Sequence, residues 1–169
     1  MTESNISLAL SVFAIIIALY CLYQISVAKK KVVEPAPEKF HALPLQLQAY
    51  ERLTVLCERI AIPNLISRVS HPQATAREMQ SLLIDSIKQE FEYNASQQIY
   101  VSKIAWDTVR NLRDQSMLII NQVATILPPD ASATQLNKQL LEVLMTHEDA
   151  ALHTIVLDSL SFEAKKLMR

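Results

Sequence analysis

Not one of the 169 residues is glycine. Glycine occupies positive φ without steric cost and lets backbone close on a ligand. Without it the chain cannot carry a phosphate-binding P-loop, a G-x-G-x-x-G dinucleotide turn, a G-x-S-x-G nucleophile elbow or the usual EF-hand loop. Two-residue β-hairpin turns also lose their preferred residue. Helices joined by proline-marked breaks need none of these, and the chain has seven prolines. The fold class expected is all-α: an N-terminal transmembrane helix plus an antiparallel helical bundle of four to five helices.

The expected span is residues 6–28, a run without Asp, Glu, Lys or Arg. About 23 residues at 1.5 Å each reach roughly 34 Å, enough for a hydrocarbon core. Tyr20 and Tyr23 sit near its C-terminal end, where amphipathic rings suit the headgroups, and Lys29, Lys30 and Lys31 follow at once. With no Lys or Arg before the run, the positive-inside bias puts the short N-terminus, residues 1–5, outside and the remainder in the cytoplasm. A cleaved signal peptide is the competing reading, since Ser26-Val27-Ala28 has small-x-small form. The uncharged start and the length of the run weigh against it.

Residues 29–44 are basic and then proline-rich, a tether through Pro35, Pro37 and Pro44. From there to residue 169 apolar residues recur every three or four positions, the period of a helix with one buried face. A first helix runs from about Leu45 to Ala61 on Leu47, Tyr50, Leu53, Leu56, Cys57 and Ile60. A short one follows from about Pro63 to Val69. Thr75-Ala76-Arg77-Glu78 has the form of a capping box and opens a second long helix on Met79, Leu82, Leu83, Ile87, Phe91 and Ala95. Ile99-Tyr100-Val101 is β-branched and aromatic and reads as an extended connector, after which Ser102 caps a third helix to about Leu127. Ser132 to Gln135 is a second capping box, opening a helix to about Thr146. The tail from Asp149 to Met168 reads as helical, but Ile155, Leu157, Leu160, Phe162 and Leu167 share no single stripe, which leaves room for a break near Asp158 or Ser159.

Gln48-Ala49-Tyr50-Glu51-Arg52-Leu53, Cys57 to Ile60, Glu90 to Asn94, Gln97-Gln98, Tyr100 to Ser102 and Trp106 together carry a likeness. Through them the chain resembles a family of small, uncharacterised bacterial single-pass membrane proteins with a Q-A-Y-E-R-L helix. The likeness weakens after Pro129. It implies an anchored helical domain, and it brings no activity and no catalytic residue.

Glu90, Tyr93, Asn94 and Gln97 recur at i, i+3, i+4 and i+7, and Tyr100 follows them. They form either a plain solvated face, the weightier reading, or a recognition surface offering directional hydrogen bonds and tyrosine area. Trp106 and Arg110 are one turn apart, and Arg113 follows on the same side. Trp106 either completes the core or anchors an interface.

No catalytic, cofactor or metal site is expected. Glu38-x-x-His41 stands alone in the tether, and His147-Glu148 lacks the second histidine of a zinc helix. Cys57 lies on an apolar stripe without a histidine near it in sequence. A net charge of −1 gives no sign of nucleic-acid binding, and no small-molecule substrate is evident. The expected partners are a lipid bilayer and a protein, or a second copy of the chain. The expected function is a membrane-anchored cytoplasmic protein-interaction module rather than an enzyme. The alternative is an accessory subunit of a larger membrane complex for transport or secretion, packed through small residues such as Ser7, Ala14 and Ala18.

Overall fold

The computed structural model describes residues 13–25, 42–146 and 149–169, with the side chains of 146–151 excepted. The chain divides into two units, Met1–His41 and Ala42–Arg169. Lys29, Lys30 and Lys31, residues 1–5, nearly all of the expected tether and His147-Glu148 lie outside the described residues.

In the first unit a helix, α1, covers residues 13–25. Tyr20 and Tyr23 are exposed on it, and the Gln24 amide donates to the Tyr20 hydroxyl at 2.8 Å. The transmembrane helix expected over residues 6–28 is overturned: among the described residues no helix is long and apolar enough to cross a membrane. At 1.5 Å per residue α1 measures about 20 Å, against about 30 Å of hydrocarbon. Residues 6–12 and 26–28 lie outside the described residues, and the expected N-out orientation had drawn on the span.

Among its described residues the second unit is a bundle of six α-helices: α2 (Leu43–Ile60), α3 (Ile62–Val69), α4 (Ala76–Tyr93), α5 (Lys103–Ile126), α6 (Ala133–Thr146) and α7 (Asp149–Leu167). The expected four to five become six because α3 buries Ile62, Leu65 and Ile66 as a full member, while α7 counts once, without the break considered near Asp158 or Ser159. α2 packs most extensively on α7, and α4 packs on both α5 and α6. Leu53, Leu56, Met79, Leu83, Ile120, Leu136 and Leu160 are among the fully buried side chains at the centre.

Local chemistry sets most boundaries. α2 starts before the expected Leu45, at Leu43, and Pro44 falls in its first turn, where the missing N–H costs nothing. Both capping boxes form: the Thr75 side chain accepts from the Glu78 N–H at 3.2 Å, and that of Ser132 from Gln135 at 3.3 Å. The two caps abut, since Ala76 N–H reaches Ala131 O at 2.8 Å and Ala133 N–H reaches Ala74 O at 2.9 Å. This places the N-termini of α4 and α6 at one end of the bundle. No described residue has positive φ, so the helices end without the left-handed residue that glycine would favour. Leu127 instead turns extended at φ −78°, ψ 148° ahead of Pro128, as the proline ring demands of its predecessor.

Two expectations fail for tertiary or local reasons. The connector expected to be extended at Ile99-Tyr100-Val101 is not: Ile99 ends a 3₁₀ turn, Ala95–Ile99, and Tyr100 follows at φ −107°, ψ −10°, with Gln97 N–H to Asn94 O and Tyr100 N–H to Gln97 O both at 3.0 Å. β-Propensity has no strand to pair with here, and i→i+3 bonds satisfy the backbone locally. In α7 the inward stripe is Leu152, Val156, Leu160, Ala164 and Leu167, whereas Ile155 and Phe162 face outward. Those two exposed residues are what broke the pattern in the sequence.

Candidate functional site

A groove of about 730 Å³ runs between α2 and α4. Its α2 wall is Gln48, Arg52, Val55 and Arg59, which spacings of four, three and four place on one helical face. Its α4 wall is Gln89, Glu90, Tyr93 and Asn94. Leu53, Leu56 and Ile60 of α2 are buried with Leu83 and Ile87 of α4 in the shared core, which leaves this face outward.

Glu90 organises one end. Its half-buried carboxylate accepts from Arg59 Nε at 2.6 Å and from Arg68 of α3 at 3.2 Å, both at the same oxygen. The Arg59 guanidinium is held above its ordinary range by this bond and by the Glu90 charge. Arg68 also donates to the Arg59 carbonyl at 3.0 Å, tying the end of α2 to α3. Exposed ion pairs contribute little to stability, about 0–1 kcal/mol, so the cluster chiefly fixes orientation.

Tyr93 organises the other end. It is 75% exposed, with the Arg52 guanidinium 5.3 Å from its ring centroid. Arg52 also donates to Asn94 Oδ1 at 3.4 Å. The Asn94 amide donates to the Glu90 carbonyl at 2.9 Å, so this residue closes α4 and positions Arg52 together. Three guanidinium groups, Arg52, Arg59 and Arg68, thus stand against the carboxylates of Glu51 and Glu90, a small positive excess.

The structure divides the stripe expected to form one recognition face. Glu90, Tyr93 and the buried Asn94 line the groove, while Gln97 is buried away from it, because the helix ends at Tyr93 and the chain turns inward. Tyr100 is half-buried in the following loop. Trp106 is half-buried and packs on Phe91, the rings 5.0 Å apart at 36°. Arg110 pairs with Asp107 at 2.7 Å, and Arg113 is the arginine that stacks on a ring, 4.1 Å from the Phe91 centroid. Sequence reasoning missed Arg52 and Arg59. Their seven-residue spacing placed them on one face, but nothing local could bring Arg59 to Glu90, 31 residues away.

Cys57 is buried, and that burial pushes its thiol up to about 12, so it stays protonated and poorly nucleophilic near neutrality. Among the described residues no three His, Cys, Asp or Glu side chains converge as metal ligands would.

A family model described as a family of unknown function (DUF7935) matches residues 3–167. No curated protein and no solved structure matches the chain.

Proposed function

This chain belongs to the family of unknown function DUF7935, and on that premise we propose that its helical unit is a protein-interaction module that receives an acidic segment of a partner in the α2–α4 groove. The narrower likeness, to small bacterial proteins with the Gln48–Leu53 helix, is part of the same proposal. One observation carries the reading. Glu90 holds Arg59 and Arg68 beside a Tyr93 ring that is largely exposed and backed by Arg52. Tyrosine and arginine are the residues most often found where binding energy concentrates. A tyrosine orders few torsions for the area it offers. Guanidinium groups recognise carboxylates through paired N–H donors, and two arginines sharing one carboxylate retain donors for a second.

A photoreactive phenylalanine analogue introduced at Tyr93 in the full chain, expressed in its native host, tests this. A discrete adduct with a carboxylate-rich partner is expected, reduced by Arg59→Ala and not formed when the analogue replaces exposed Gln139. The same adducts from both positions, or indifference to Arg59→Ala, would refute the reading.

A further inference from the structure

A second cavity, distinct from the groove, lies where α3, α5, α6 and α7 meet. It is partly enclosed and measures about 220 Å³. Leu112 and Ile119 of α5, Leu144 of α6 and Leu152 of α7 give it apolar walls, with Asn64, Gln115, Ser116 and His153 as polar points. His153 Nε2 is buried and has no hydrogen-bond partner among the described residues. Glu58 Oε2 is 3.7 Å away, too long for a hydrogen bond though within ion-pair range. That carboxylate is already engaged by the Asn64 amide at 3.2 Å.

Buried polar atoms are nearly always partnered, so an orphaned imidazole nitrogen on the wall of an apolar cavity calls for an explanation. We infer that the cavity binds a small uncharged ring compound, with its apolar body between Leu112, Ile119, Leu144 and Leu152 and one polar edge hydrogen-bonded to His153 Nε2. Size and charge set the class. A cavity of about 150 Å³ lined by apolar side chains accepts benzene, so this one has room for roughly nine heavy atoms. The Glu58 carboxylate 3.7 Å from His153 Nε2 disfavours anions, and the apolar walls disfavour any full charge. Because the cavity is walled by both α6 and α7, an occupant would clamp the last helix onto the rest of the bundle.

Indole is the probe, and indene, its carbon isostere without the N–H, is the control. The full chain, with methyl groups labelled for NMR, is titrated with each. Indole should cause saturable shifts concentrated in the Leu112, Ile119, Leu144 and Leu152 methyls and should raise the melting temperature. Indene, and indole with His153→Phe, should bind about tenfold more weakly, the loss of one hydrogen bond. No saturable shift up to the solubility limit of indole overturns the site. So do shifts scattered over the surface. Equal affinity for indole and indene overturns the role given to His153, and this comparison needs only the unaltered chain should His153→Phe fail to fold.

Discussion

Replacing Tyr50 by Phe removes one oxygen atom and, with it, the junction of three helices. Tyr50 is 4% exposed on α2. Its hydroxyl donates to Glu163 Oε2 of α7 at 2.7 Å and accepts the Ser102 N–H, at the start of α5, at 3.3 Å. A hydrogen bond to a charged acceptor contributes about 1.5–3 kcal/mol. Glu163 is half-exposed and would regain water, which lowers the loss. The Ser102 bond is long and adds a few tenths of a kcal/mol at most. The expected cost of Tyr50→Phe is therefore about 1–2 kcal/mol. Urea unfolding at neutral pH should show a lower midpoint with an unchanged slope. In a double-mutant cycle with Glu163→Ala, the pair should cost less than the sum of the single changes. A Tyr50→Phe midpoint equal to that of the unaltered chain, or strict additivity, would refute the reasoning.

The same junction has a pH signature. Burial first, and then the Glu163 bond, raise the Tyr50 phenol above its ordinary 10.0. A raised acid keeps its proton in the fold after the unfolded chain has lost it. Stability from this source is therefore full below pH 10.0 and falls as pH climbs from there through the folded value. Tyr50→Phe should flatten that part of the alkaline limb.

Cys57 adds to the limb in the same sense, its contribution being lost as pH rises from 9.0 to about 12, and Cys57→Ala should remove it. At pH 8 a thiol reagent should modify exposed Cys21 rapidly and Cys57 only as fast as the bundle opens; equal rates for the two would contradict the burial argument. Asn137 of α6 is buried, its Oδ1 without a partner among the described residues and its amide donating to Ser70 Oγ at a long 3.4 Å. Asn137→Leu should thus leave the urea midpoint unchanged or raise it, and a loss above about 1 kcal/mol would show that the polar group is better satisfied than its distances indicate.

Features decided within four residues were legible beforehand. The boxes Thr75–Glu78 and Ser132–Gln135 close through side chains three positions apart, so their residues suffice to announce them. The inward face of α5, from Ala105 through Val109, Leu112 and Ser116 to Val123, follows from helical period alone. The absence of glycine likewise announced helices joined without left-handed residues, because that restriction acts on each residue separately.

What only the tertiary structure decided depends on partners far along the chain. Arg59 meets Glu90 across 31 positions, and Tyr50 meets Glu163 across 113. Neither pairing leaves a local trace, since a charge or hydroxyl on a helix is equally at home in water. The stripe of α7 stayed hidden because Ile155 and Phe162 remain exposed, and a folded surface keeps many apolar side chains in contact with solvent.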